Sequence, residues 1–201
     1  MTTVKICGVR RPADATLAAE LGARYVGCVV AADSPRCARG SEVADIALAV
    51  GAESLVLVTR RSGIESTRSL ARQVGVRRLQ IHGATPDDER NLREEGFVCH
   101  TVAAVPPDAN TLPPIASSCV DSPGVLDHGA GGRGTPFDWQ LLAAGCPPFT
   151  LIAGGVTPTN IRHLLAYQPF GIDVSSGVEA RPGIKDPGLL RSLFAALERP
   201  Q

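Results

Sequence analysis

Short runs of Val, Ile and Leu recur near Val4, Tyr25, Leu55, Val76, Phe97, Val125, Phe149 and Ile172, at intervals of roughly 20 to 30 residues, and nearly every interval has room for a helix. Each run is short and almost continuously apolar, the pattern of a strand buried on both faces. Between them the apolar period changes. Val43, Ile46, Ala47 and Val50 fall at i, i+3, i+4 and i+7, which predicts a helix capped by Ser41 and stopped by Gly51. Ile64, Thr67, Ala71 and Val74 repeat that spacing before Gly75, as do Leu190, Leu193, Phe194 and Leu197 near the end of the chain. Thr85-Pro86, Thr157-Pro158 and Asp186-Pro187 each place a capping side chain before a proline. At the first helical position the missing proline N–H costs nothing.

Parallel neighbours need a crossover of helix length, so this alternation predicts a parallel sheet. Eight units close into a (βα)8 TIM barrel of the α/β class, spanning residues 1–201 as one domain, near the lower length limit of that architecture. One unit departs from the rule. Between Pro106 and Pro123 the segment PPDANTLPPIASSCVDSP holds five prolines and no amphipathic stripe, so a loop or broken helix is expected after the fifth strand.

Composition narrows the ligand. Lys and Arg total 20, as do Asp and Glu, so the chain has no overall basic field to hold nucleic acid or anionic lipid. The longest uncharged stretch, Trp139 to Ile161, carries Gly145, Pro147, Pro148, Gly154, Gly155 and Pro158 and predicts no membrane span. Strand-like sequence begins at once with Lys5 and Ile6, without a basic-then-apolar leader, and a cytoplasmic protein is expected. None of the six cysteines forms a Cys-x-x-Cys pair, and the four histidines lack metal-ligand spacing, so neither disulfides nor a metal site is expected. The exposed helix faces show no distinctive apolar stripe, leaving monomer and homodimer both open.

In such a barrel chemistry sits where strands end, on the carboxyl face. Cys7-Gly8 closes the first strand, Ser34-Pro35-Arg36 follows the second, Gln80-Ile81-His82-Gly83 closes the fourth and Asp127 the sixth. The seventh ends in Ala153-Gly154-Gly155 and the eighth in Asp173-Val174-Ser175-Ser176-Gly177. Gly154, Gly155, Ser175, Ser176 and Gly177 offer small residues whose backbone N–H groups can approach a phosphate, aided by helix starts. Either motif alone is an ordinary turn; their pairing points to a sugar phosphate or similar small molecule. Cys7 reads either as a small core residue or as a base whose thiolate a nearby cation favours, and its position at a strand end favours the base. Cys28, Cys99, Cys119 and Cys146 read as packing residues. Asp127 ends an apolar strand, where desolvation would keep it a neutral proton donor, unless it serves as a cap or ion-pair partner. Arg36 suits a carboxylate at the far end of the ligand, against its alternative as a solvated loop arginine. Gln80 and His82 are compatible with hydrogen bonding in the mouth or with a structural role.

Taken jointly these segments resemble the phosphoribosylanthranilate isomerase family of tryptophan biosynthesis. The resemblance spans nearly the whole chain, through Lys5-Ile6-Cys7-Gly8, Ser34-Pro35-Arg36, Gln80-Ile81-His82-Gly83, Val125-Leu126-Asp127, Gly131-Gly132-Arg133-Gly134 with Phe137-Asp138-Trp139, Ile152-Ala153-Gly154-Gly155, and Asp173 to Glu179 with Pro182 to Asp186. It implies a (βα)8 barrel that performs an Amadori rearrangement of N-(5-phosphoribosyl)anthranilate to 1-(2-carboxyphenylamino)-1-deoxyribulose 5-phosphate, without metal or organic cofactor. By the same resemblance Asp127 is the general acid at the ring oxygen, Cys7 the base at C2 and Arg36 the partner of the anthranilate carboxylate. The loops with Gly154-Gly155 and Ser175-Ser176-Gly177 match the family's phosphate cradle; Gln80, His82 and Asp173 are expected from their strand-end positions as further substrate contacts. The chain departs from the family pattern at Arg133, at His128 directly after the acid, and at Gly27-Cys28-Val29-Val30, where a phenylalanine is usual. The competing readings are an aminoaldose isomerase of altered or dual substrate, and a non-catalytic phosphate-binding α/β domain.

Overall fold

A computed structural model describes residues 2–115, 118–128 and 137–198. In chain order it comprises β1 (Thr3–Cys7), α1 (Pro12–Glu20), β2 (Tyr25–Val29), α2 (Gly40–Val50), β3 (Leu55–Arg60), α3 (Ile64–Val74), β4 (Arg78–His82), α4 (Pro86–Glu94), β5 (Val98–His100) and β6 (Val102–Val105). There follow β7 (Gly124–His128), β8 (Thr150–Ile152), α5 (Ile161–Leu165), β9 (Gly171–Val174), β10 (Glu179–Arg181), β11 (Ile184–Lys185) and α6 (Pro187–Glu198). Short 3-10 turns precede α3 and occupy Trp139–Ala144 and Ser176–Val178.

The nine strands β1 to β9 pair in parallel in the order β5-β4-β3-β2-β1-β9-β8-β7-β6. Strands β5 and β6 are consecutive halves of one stave, separated only by Thr101. The first half pairs with β4 and the second with β7, so eight staves form the ring, as the eight apolar runs predict. Its closure rests on the split stave, and the Thr101 carbonyl itself accepts the Val125 N–H at 2.8 Å. No helix occupies the described part of the Pro106–Pro123 segment, in line with its prolines.

The period of two along each strand sorts the side chains. Val4, Ile6, Val26, Leu55, Leu57, Leu79, Ile81, Leu126, Ile152 and Ile172 are buried against the helices. From those helices come Val43, Ile46, Ala71, Leu190, Leu193 and Phe194, each large apolar side chain contributing about 1.5 to 3 kcal/mol. The alternate residues face the lumen, where Cys7, Tyr25, Val56 and Val58 form one cluster and Val125, Leu151 and Ala153 another. Tyr25 lies among Arg24, Arg78 and His100: its hydroxyl accepts from Arg24 Nε at 3.0 Å, and Arg78 stacks 5.1 Å from its ring centroid.

Two helix starts differ from expectation. Helix α2 begins at Gly40 with Arg39 in the capping position, and Ser41 already lies inside it. The Glu42 carboxylate reaches back to accept the Arg39 N–H at 2.6 Å, the half of a capping box that satisfies the capping residue itself. Thr157 does accept the Asn160 N–H at 3.2 Å, but a single turn follows and regular helix starts only at Ile161. Thr85 and Asp186 cap α4 and α6 as expected: Thr85 Oγ1 accepts from Asp88 N, and Asp186 Oδ1 accepts from the N–H groups of Gly188 and Leu189. All six cysteines are free thiols. Among the described residues no helix is long and apolar enough to cross a membrane.

Candidate active site

The carboxyl ends of the strands surround one cavity. Its lining includes Cys7 from β1, Arg36 from the loop after β2, Gln80 and His82 from β4, Asp127 from β7, Gly154 and Gly155 after β8, and Asp173, Ser175 and Ser176 at the end of β9. Every residue singled out from sequence lines it except Gly177. A Cβ on that glycine would lie 1.9 Å from the Val156 carbonyl oxygen, so its missing side chain lets the loops after β8 and β9 touch. Gly154 and Gly155 both adopt positive φ, +86° and +65°, which turns the backbone sharply after β8 at little cost only for glycine. Val29, Ala31 and Val58 supply an apolar wall on the side of β2 and β3. Gly131 to Gly134, with Arg133, lie outside the described residues.

The electrostatics of the two central groups differ. Burial, reinforced by the nearby Asp173 charge, pushes the Asp127 carboxyl up to about 6 despite the His128 N–H that it accepts at 2.8 Å. This is the neutral-leaning acid that its apolar strand predicts. For Cys7 the expectation of a favoured thiolate does not hold. The cations are present, Lys5 and Lys185, and both pull the thiol down, but its burial outweighs them and the net direction is up. Burial also drives the His82 ring down to about 4, so it is neutral. It lies 3.3 Å from Gln80 Nε2, and with the amide N–H donating, His82 Nε2 accepts.

Arg36 is not a solvated loop arginine. Its Nε and Nη2 grip both oxygens of Glu179 at 2.8 to 3.1 Å, and its side chain is 11% exposed. The same carboxylate accepts from Lys185 Nζ at 3.0 Å and from the Gly183 N–H at 3.1 Å. Burial opposes the Glu179 charge, yet Arg36 and Lys185 hold the carboxyl below its usual range. Two cations against one carboxylate leave this corner one positive charge in excess, a setting that favours an anionic ligand group. Helix α1 fixes the ribbon β10–β11 that carries the network: Asp14 accepts the Lys185 N–H at 3.0 Å, and Arg11 donates to the Lys185 carbonyl at 3.1 Å.

Lys5, Glu179 and Lys185 appear in the sequence motifs without an assigned role, and the structure places all three at the site. Lys5 was accessible to the period-two argument, since it stands two residues before Cys7 and must share its face. Glu179 and Lys185 carried no local signal, because their ribbon is a tertiary arrangement. Among the described residues, no cluster of three or more His, Cys, Asp or Glu side chains is arranged to hold a metal ion.

Residues 4–196 match the family model described as N-(5'phosphoribosyl)anthranilate (PRA) isomerase. This chain belongs to the phosphoribosylanthranilate isomerase family. It is 38% identical to the N-(5'-phosphoribosyl)anthranilate isomerase of Haloferax volcanii, over 98% of this chain and 93% of the relative. The crystal structure of phosphoribosyl anthranilate isomerase from Thermus thermophilus superposes with a TM-score of 0.77 at 32% identity, covering 98% of both chains. A further phosphoribosyl anthranilate isomerase structure, in complex with reduced 1-(o-carboxyphenylamino)-1-deoxyribulose 5-phosphate, gives a TM-score of 0.76 at 28% identity and 98% coverage of each chain.

Proposed function

We propose that this chain, acting as one barrel domain, isomerises N-(5-phosphoribosyl)anthranilate to 1-(2-carboxyphenylamino)-1-deoxyribulose 5-phosphate in tryptophan biosynthesis. The observation that carries the reading is the convergence of Cys7 and Asp127 on one cavity that is also lined by Arg36, suited to a carboxylate, and by Gly154, Gly155, Ser175 and Ser176, suited to a phosphate. The family match and the relative solved with a reduced product support it. The phosphate lies against Gly154, Gly155, Ser175 and Ser176. The aromatic ring packs on Val29, Ala31 and Val58, with its carboxylate at Arg36. Arg36 uses Nε and Nη2 on Glu179, which leaves Nη1 to meet the ligand. The unpartnered Gln80 Oε1 and Asp173 Oδ1 accept sugar hydroxyl protons.

Asp127 donates its proton to the furanose oxygen as the C1–O bond breaks, and the nitrogen lone pair completes a protonated Schiff base. The Cys7 thiolate then removes the C2 proton. The C–H electrons form the C1–C2 double bond of the enolamine, and the nitrogen regains its lone pair. Transfer of the enol hydroxyl proton to C1 gives the ketoamine. Asp127 and Cys7 are each worth about 10²- to 10⁴-fold.

The test is the loss of phosphoribosylanthranilate fluorescence with purified protein. Wild type should consume the substrate, and Cys7→Ser should be slower by about a hundredfold or more. Near-normal turnover of Cys7→Ser would remove Cys7 from the mechanism, and inactivity of the wild type would remove the assignment.

A further inference from the structure

Lys5 is completely buried, yet it is a charged side chain inside a barrel lumen. Its ammonium donates to Asp173 Oδ2 at 2.6 Å, which ties β1 to β9. A buried ion pair of this kind often stabilises a fold no more than a well-packed apolar pair would, so its presence directly under a reaction cavity asks for another reason. Gly27 on the neighbouring strand supplies one. A Cβ at Gly27 would lie 2.9 Å from Cys7 Sγ and 3.2 Å from Lys5 Cε, so the absent side chain opens the space in which sulfur and lysine converge. The Lys5 side chain is thus brought beside the sulfur, where its charge pulls the thiol toward the thiolate.

We propose that Lys5 is a positioning residue for Cys7: anchored by Asp173, its ammonium orients the sulfur toward the cavity and stabilises the negative charge that sulfur carries before it takes a proton. The inference rests on the reading of Cys7 as the base and adds the group that makes that base accessible. The other charged groups acting on Cys7 are Asp173 on β9, Lys185 on β11 and Arg36 in the loop after β2, while Cys28 on β2 also couples to it. Lys185 is committed to the Ser175 carbonyl and Glu179, both at 3.0 Å, and Arg36 is committed to Glu179. Lys5 is the cation that shares with the sulfur the space left open by Gly27.

The direct measurement is alkylation of Cys7 by iodoacetamide as a function of pH in the substrate-free full-length protein, read by peptide mass spectrometry with the exposed Cys119 as internal reference. Relative to Cys119, the Cys7 rate at a fixed pH below its titration should fall about tenfold or more in Lys5→Met, since each unit of thiol pKa is a tenfold change in thiolate fraction. Lys5→Met leaves Asp173 unpaired, so the neutral pair Lys5→Met with Asp173→Asn is measured beside it. It should show the same direction, because Lys5 acts on the sulfur more strongly than Asp173 does. Wild-type Cys7 reactivity in either folded variant would overturn the proposal. Turnover of Cys7→Ser reports on the base assignment separately: a fully active Cys7→Ser would discard that assignment even if Lys5 governs thiol reactivity.

Discussion

At Asp127 the needs of catalysis and of folding oppose each other. The folded carboxyl titrates near 6 against 3.8 for the free group, so the fold binds its proton more tightly than the unfolded chain does. The associated stability is complete below the unfolded value and is lost as pH rises through the folded one, on the order of 2 to 3 kcal/mol by neutral pH. Asp127→Asn should therefore resist denaturant better than wild type at neutral pH, with the gap closing toward about pH 4, while turnover drops by about a hundredfold or more. Equal denaturation midpoints at neutral pH would show that burial does not strain this carboxyl. The acid limb of kcat/KM should lie near 6, set by Asp127, and the basic limb above the ordinary thiol range, set by Cys7. With the acid's pKa below the base's, the active form is the rarer arrangement of the singly protonated pair, and the bell keeps its shape while its height falls. Arg36→Ala should weaken binding of carboxylated aniline ligands by about 2 to 5 kcal/mol and of uncarboxylated analogues far less, as loss of one partner of a buried charge pair predicts. Equal losses in titration calorimetry would make Arg36 a scaffold for Glu179 alone.

At the scale of elements, the cavity rim at the ends of β8 and β9 depends on how closely two loops approach. Gly177 sits in the turn after β9 with no room for a methyl group against the Val156 carbonyl. Gly177→Ala should push the loops after β8 and β9 apart, raise KM about tenfold or more and cost about 1 to 3 kcal/mol of stability. Melting and kinetics measured together check this, and an unchanged KM would separate the loop contact from substrate binding. The ribbon β10–β11 shows the same dependence on tertiary placement. Its two short strands bring Glu179 and Lys185 to Arg36, and α1 holds it through Asp14 rather than through any apolar surface of its own.

For the whole molecule, titratable groups buried in the barrel beside its apolar lumen clusters make stability depend on pH. His100 is buried with neither ring nitrogen partnered and packs edge-on to Tyr25, its ring centroid 5.2 Å away. Burial drives it down to about 3, and His82 to about 4. Both rings therefore bind a proton more weakly folded than unfolded. Their contribution is complete above the unfolded histidine value of about 6.5 and is lost as pH falls from there toward the folded values. Over that range this loss exceeds the opposing gain from Asp127, so thermal stability should decline below about pH 6. His100→Leu should flatten that decline, with melting temperature followed across pH as the check. A decline as steep as wild type would assign the acid sensitivity to other groups.

Much of this was set by local pattern alone. Strand number, helix faces and the degenerate unit after the fifth stave follow from period and proline placement, because apolar side chains must be covered and proline cannot sustain a helix. Cys7, Asp127, Gly154 and Ser175 were legible because parallel topology sends all strand ends to one face. Tertiary structure decided what surrounds those residues: burial outweighed the cations at the Cys7 thiol, Glu179 took hold of Arg36, and Gly177 packs against the Val156 carbonyl. The physical reason is range. Periodicity acts over a few residues and survives in the string, whereas desolvation and charge pairing depend on groups as far apart as Lys5 and Asp173, which meet only when the barrel closes.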